Sequence, residues 1–450
     1  MKELLLDRTY RRLWLGQSVS LAGDYLFTTT MALWIGTVLL RDQPYAPSAT
    51  AASLIIVAVV TVAGAPVAGA LVDRWDKVRV ARTADAVRTL IGGGFAILAW
   101  LSGSLPVGLT LALCGLALAG QSAATQFFNP ARIVILSDVV SEDRREQAAS
   151  FAQASSAIAM IAGPALAGAL FAAAGPGVCF GLNAATFACS FLALRGTRVP
   201  MTETRERHLG REMLAPLGLI ARDRTLRAVL GAGVIVMLGA SAFGSLNVFF
   251  VRENLSADPA WFGVISSALG AGILTGALGS AALHTRLGKE RLFAAGLLLC
   301  GLTCLLYARL DSAPLAALVI FGYGVAGGIV ETVMSPILLA ATGRDHLARV
   351  LSVFTSALRV ASITSLGLVG WLAGGRGRID LILLGAAVMF LLAGAHAALY
   401  LRRPGPRAGP APNTTRGRPG IRRRRRSGRG ASAAVRGEPP RHCLRALRRR

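Results

Sequence analysis

Apolar stretches of helix-spanning length alternate with short polar connections along most of the chain. They fall near 12–40, 50–72, 80–102, 106–129, 148–172, 177–195, 228–251, 260–283, 291–309, 314–341, 348–373 and 379–401. A helix rising 1.5 Å per residue needs roughly 20 apolar residues to cross a hydrocarbon layer about 30 Å thick, so the pattern predicts about twelve transmembrane helices. The runs are continuous rather than alternating over ten residues, which excludes a transmembrane β-barrel. The first run is long, carries Asp24 in its middle and is followed by no small-residue cleavage site, so it reads as a helix and not as a secretory signal.

The longest break, 196–227, carries Arg198, Arg205, Arg207, Arg211, Arg222, Arg224 and Arg227. It divides the chain into an N-terminal six-helix half (1–195), a central loop (196–227) and a C-terminal six-helix half (228–402), with a tail at 403–450. Lysine and arginine in short loops stay on the cytoplasmic side. One set of connections holds Arg74, Lys77, Arg79 and Arg82, then Arg132, Arg144 and Arg145, the central loop, Arg286, Lys289 and Arg291, and finally Arg344 and Arg349. The alternate set holds only Arg41, Arg252, Arg309, and Arg376 with Arg378. Both termini are therefore expected in the cytoplasm. Residues 69–80 (GALVDRWDKVRV) are echoed at 281–292 (AALHTRLGKERL), each in the connection after the second helix of its half. Asn129-Pro130, read as ending the fourth helix, is echoed by Ser335-Pro336. Two parallel six-helix repeats are a recurring transporter architecture, with the site at their interface near the midplane. Residues 133–147 read as a short amphipathic segment at the cytoplasmic surface.

Composition sharpens this reading. The chain is 54% hydrophobic and 16% charged, against about 25% charged for a soluble domain. The formal charge of +25 suggests nucleic acid, but 403–450 holds 16 arginines against the single acid Glu438, so most of the excess sits in the tail. That Arg-, Pro- and Gly-rich tail cannot bury a core and is expected to be disordered; anionic lipid head groups are one conceivable contact. Cys114, Cys179, Cys189, Cys300 and Cys304 lie inside apolar runs, where disulfide frameworks are not built; Cys300 and Cys304, four residues apart with no His or acid beside them, read as packing rather than a metal pair.

Charges within spans carry the functional signal, because one at the bilayer centre costs roughly 2.5–3.5 kcal/mol on insertion scales and normally faces a cavity or a partner. Asp24 shares a helical face with Gln17, Ser20 and Thr28, which suggests a protonatable carboxyl in a central cavity or a hub for helix packing. Glu331 and Arg359 lie at similar depth on neighbouring helices, where an ion pair is geometrically allowed, and Glu331 is also a proton-coupling candidate. Arg359 continues a polar face with Ser352, Thr355, Ser356 and Ser362. Asp85 and Arg88 fall one or two turns inside the third helix and are expected to anchor the cytoplasmic loop.

The stretch Gly69, Asp73, Arg74, Lys77 and Arg79 resembles the loop signature of the major facilitator superfamily, with Asp76 standing where that family usually has Gly. RRLWLGQSVSLAGDYLF at the start, FFNPARIVILSDVV and Asp85-x-x-Arg88 are similar to the branch of macrolide and enterobactin exporters. Gly163, Pro164 and Gly168 match an element of that family's proton-coupled antiporters, with Ala167 replacing one Gly. The resemblance covers residues 8–400 and implies the major facilitator fold, an alternating-access cycle and export. The intramembrane Arg that many drug:proton antiporters carry in the fourth helix is absent, with Gln121 the nearest polar residue.

The expected function is secondary active, proton-coupled export of a hydrophobic or amphipathic small molecule across the cytoplasmic membrane. Gln17, Ser20, Asp24, Thr28, Gln121 and Thr125 would line the cavity from one half, and Ser241, Ser245, Glu331, Ser356 and Arg359 from the other. Import or uniport of a small solute is the alternative, and a non-transporting scaffold or sensor a more distant one. No short His, Asp or Glu motif suggests an enzyme, and no G-x-x-x-x-G-K-[ST] loop suggests a nucleotide-driven pump. No cofactor, metal or nucleic acid is expected; the proton gradient supplies energy, and the expected state is a monomer in the bilayer with a small-molecule substrate.

Overall fold

A computed structural model describes residues 8–41, 43–141, 144–197, 215–342, 344–374 and 379–401. The described residues are helical, with no strand among them. In chain order the helices are α1 (Arg8–Leu33), α2 (Ala46–Arg74), α3 (Lys77–Leu101), α4 (Val107–Val139), α5 (Arg145–Ala193), α6 (Ala215–Arg222), α7 (Arg224–Phe249), α8 (Pro259–Leu287), α9 (Lys289–Tyr307), α10 (Ala313–Thr342), α11 (Arg344–Gly374) and α12 (Ile379–Leu401). Both α1 and α7 continue as a π-helical turn, Trp34–Leu39 and Phe250–Asn254. Among the described residues, ten helical stretches are long and apolar enough to cross a membrane. The tail and most of the central loop lie outside the described residues.

Local sequence explains the breaks. The 49-residue α5 is interrupted at Gly175, whose φ of 76° and ψ of 177° lie outside the helical range. Pro176 follows, and a proline is well tolerated at the first position of a new helix, so α5 has two limbs. By contrast, Pro130 does not end α4, and the surface segment expected at 133–147 is instead a continuation of that helix to Val139. The last turns bury Ala131 and Ile135 against Leu13, Val72 and Ala81, and that packing outweighs the one hydrogen bond a proline removes. Pro336 is likewise inside α10.

Helices α1–α5 form one group and α7–α12 another, joined chiefly where α5 meets α8 and where α2 meets α11. The first group is pinned by an aromatic cluster: Phe27 of α1 lies 5.4 Å from Phe95 of α3, which stacks at 5.2 Å on Phe180 of α5. Large apolar side chains also cover the outside, Leu90 and Trp100 each being 76% exposed, as a lipid-facing perimeter requires. Cys300 and Cys304 are buried in the apolar core of the second group.

The groups touch towards one end of the bundle, opposite the basic connections. There the Ser48 hydroxyl donates to the Gly370 carbonyl at 2.6 Å, and Arg252 donates to the Gly36 carbonyl at 2.8 Å. Gly168 and Gly263 bring α5 and α8 together at the same end; a β-carbon on Gly168 would come within 2.9 Å of the Gly263 Cα.

Candidate functional site

Between the two groups lies a cavity of about 780 Å³. One wall comes from α1, α2 and α4, and the other from α7, α8 and α11. Of the residues expected to line it, Asp24, Thr28, Gln121, Thr125 and Arg359 do so. Among the described residues, Asp24 and Arg359 are the charged side chains on its wall, facing it from opposite groups. Much of the rest is apolar, including Phe27, Met31, Ile35, Leu118 and Phe262.

Other expected residues stand elsewhere. Gln17 and Ser20 are buried off the cavity wall. The Ser241 hydroxyl bonds to that of Ser362 at 2.7 Å, and buried Ser245 donates to the Ala242 carbonyl, leaving Gly244 as the α7 residue on the wall. Ser356 is exposed and off the wall. Glu331 is exposed on α10, within electrostatic reach of Tyr25, which does line the cavity. No salt bridge joins Glu331 to Arg359 among the described residues, so the pair allowed by helical depth is not made. The sequence places a helix at 50–72 but gives no cavity-lining residue on it. Thr50, Ser53, Val57 and Thr61 line the cavity at three- and four-residue spacing, a 3.6-residue period that was available as a signal.

The unexpected part of the site is an ionic network behind Asp24. Arg88 of α3 donates through Nη2 to Asp24 Oδ1 at 2.5 Å and through Nη1 to Asp85 Oδ1 at 3.3 Å. Its guanidinium carbon lies 3.8 Å from the ring centre of Phe187 and 5.0 Å from that of Phe128. Arg88 and Asp85 are fully buried, whereas the Asp24 side chain is 39% exposed. The network therefore runs from the helix core to the cavity surface. Asp85 and Arg88 are thus part of the helix core and not anchors of the loop, because distance from a helix end is not burial: α3 packs between α4 and α5 even in its first turns. A planar guanidinium suits this position, since it can serve two carboxylates at its edge and two aromatic rings at its faces. Arg132 of α4 adds a second cation within electrostatic reach of Asp24.

The family-like loop and helix elements also have physical roles. Gly69 and Asp73 lie in the last turns of α2, which ends at Arg74. Asp76, in place of the usual Gly, is the N-cap of α3 and accepts a hydrogen bond from the Arg79 amide at 2.8 Å. Lys77 is the first residue of that helix. In α5, a β-carbon at Gly163 would come within 2.6 Å of Tyr25 Cβ, so Gly163 seats α5 on α1 while Gly168 seats it on α8. Pro164 lies between them, its carbonyl against Gly263.

Residues 4–413 match the family model described as transmembrane secretion effector. The chain belongs to that family. It is a multi-pass membrane protein with the major facilitator fold, and it spans 63% of the length of the first of the efflux proteins it matches. It is 22% identical over 266 residues to macrolide efflux protein A of Streptococcus pyogenes, covering 58% of this chain and 63% of that one. It is 25% identical over 324 residues to the multidrug efflux pump Tap of Mycobacterium tuberculosis, covering 69% and 75%. A bacterial homologue of the iron transporter ferroportin in its inward-facing state superposes with a TM-score of 0.72 at 15% identity, over 88% of this chain and 99% of that one. The outward-facing state of a bacterial ferroportin homologue gives 0.57, also at 15% identity.

Proposed function

We propose that this transporter exports a hydrophobic or amphipathic small molecule in exchange for protons, by alternating access across the cytoplasmic membrane. The observation that carries the reading is Asp24, a carboxylate on the wall of a largely apolar cavity whose counter-charge is the buried Arg88. Protonating Asp24 cancels one of the two carboxylate partners of Arg88 and leaves the guanidinium to Asp85, so the tie between α1 and α3 depends on proton occupancy. A substrate entering the cavity meets the same carboxylate, and proton and substrate then compete for one site. Twelve crossings follow when α1 with its π turn and the two limbs of α5 are each counted. The basic ends are placed in the cytoplasm and the chain acts as a monomer. The two groups then meet at the outer end and the cavity faces inward, a reading supported by the higher superposition on an inward-facing structure. The efflux activity in the names of two relatives supports the direction of transport.

The test is accumulation of a panel of hydrophobic antibiotics and dyes in cells lacking their own pumps, with and without a protonophore, beside an empty vector. Lower accumulation that the protonophore abolishes is expected. Lower accumulation that persists with the protonophore removes proton coupling, and higher accumulation than the vector makes the protein an importer.

A further inference from the structure

A second cavity, of about 700 Å³, lies away from the central one, between α3, α4 and the α2–α3 turn. At its basic end stand Arg74 and Arg79, both exposed, and no described carboxylate forms a salt bridge with either guanidinium. Asp76 lines the same end: its Oδ1 accepts from the Arg79 amide as the cap of α3, and its one negative charge leaves the two guanidinium groups in excess. Trp75 stacks on Phe127 at 6.4 Å with their planes 15° apart, forming an aromatic wall beside the arginines. Deeper in, the lining turns small and apolar, with Ala84 of α3 and Ala123 of α4. The surrounding surface is the apolar perimeter, where Leu90 is 76% and Ile133 67% exposed.

Two cations that no described carboxylate pairs, above an apolar slot on a face that meets the bilayer, call for an amphipathic anion. We propose that this cavity binds an anionic phospholipid. Its phosphate would lie between Arg74 and Arg79, and an acyl chain would follow the Trp75–Phe127 wall down between α3 and α4. Arginine forks recognise phosphate oxygens in pairs, and basic pockets between helices at the cytoplasmic side suit anionic head groups. A free phosphate would leave the slot unfilled, and a neutral hydrophobic molecule would leave both cations unpaired. The site opens on the start of the helix that carries Asp85 and Arg88, so its occupant would brace the element holding the ionic network. The inference needs the protein only to be in a membrane and is independent of what the central cavity carries.

The experiment is native mass spectrometry of the full chain released from nanodiscs of phosphatidylglycerol and phosphatidylethanolamine in equal parts. Wild type should retain phosphatidylglycerol in preference to phosphatidylethanolamine. Arg74→Gln with Arg79→Gln should lower that retention roughly tenfold to thirtyfold. Ala123→Leu, which fills the slot without changing charge, should lower it several-fold. Arg286→Gln with Arg291→Gln, an equal charge loss in the echoed connection of the other half, should leave it unchanged. Glycerol 3-phosphate should not displace the lipid. Equal retention of the two lipids by wild type, equal loss in the Arg286/Arg291 variant, no loss in Ala123→Leu, or displacement by glycerol 3-phosphate would each overturn the proposal.

Discussion

Arg88 and Asp24 are 64 residues apart in sequence and on different helices, yet their side chains meet at 2.5 Å beside the central cavity. One partner is wholly buried and the other partly open, so a proton arriving from the cavity reaches the carboxylate without reaching the cation. Asp24→Asn keeps the shape of the side chain while removing its charge and its proton. Coupling free energies between sites are typically about 1–3 kcal/mol, so proton-driven export by this variant should fall roughly 5–150-fold at equal expression. Transport at the wild-type rate would take Asp24 out of the mechanism.

The other end of the network makes a separate prediction about stability. Arg88→Leu leaves Asp85 fully buried with no cation beside it, and removing one member of a buried ionic cluster costs about 3–5 kcal/mol. Its melting temperature in detergent should drop sharply. Adding Asp85→Asn neutralises the stranded charge, so the double variant should recover most of the lost stability while proton-driven transport stays low. If Asp85→Asn gives no recovery, the cost of Arg88→Leu lies in lost aromatic packing against Phe187 and Phe128 instead.

Two glycines that look alike in sequence should behave differently. A β-carbon on Gly168 would meet backbone atoms, Gly263 Cα at 2.9 Å and the Ala260 carbonyl at 3.0 Å, neither of which can swing aside. Gly168→Ala should therefore cost about 1–3 kcal/mol and weaken the contact between the two groups. At Gly69 a β-carbon meets nothing within 4 Å, and Gly69→Ala inside a helix should be neutral or stabilising by about 0.5–1 kcal/mol. Thermal unfolding of the two variants side by side checks the contrast.

The tail gives a simpler test of where activity resides. Deleting 403–450 removes 16 arginines but none of the residues that line the cavity or its ionic network. Transport per folded molecule should be unchanged. A large loss would favour a role for the tail as an interaction arm.

Much of the bundle was legible because lipid imposes it: apolar runs must be helical, and basic connections alternate with neutral ones. Asp24 was legible for the same reason, since an acid in an apolar run has to be explained by a cavity or a partner. Its actual partner was not. Position along α3 gives depth from the helix end, whereas the burial of Arg88 is set by α1, α4 and α5, whose lateral order no single sequence displays. Ser241 and Ser245 failed on rotation: periodicity puts them near Gly244 but does not say which side of α7 faces the other group. Pro130 failed on energetics, because a proline's local cost is small beside the packing of Ala131 and Ile135. The α2 stripe from Thr50 to Thr61 is legible as a period, but it carries no charge and its hydroxyls can bond to their own helix, as those of Thr50, Ser53 and Thr61 do.

The strongest test of the proposed cycle lies where α2 meets α11. A β-carbon placed on Gly370 would stand 3.3 Å from the buried Ala51 Cβ. A disulfide spans β-carbons about 3.5–4.5 Å apart, so Ala51→Cys with Gly370→Cys should cross-link after a small adjustment. This contact lies at the end where the two groups touch and must part if the cavity is to open on that side. Oxidation should therefore stop transport, and a reductant should restore it. A protease site placed in the central loop gives an independent readout, because cross-linked halves stay joined on a non-reducing gel and separate on a reducing one. Oxidised protein that is fully cross-linked and still transports would mean that α2 and α11 never separate, and rocking of the two groups would have to be abandoned.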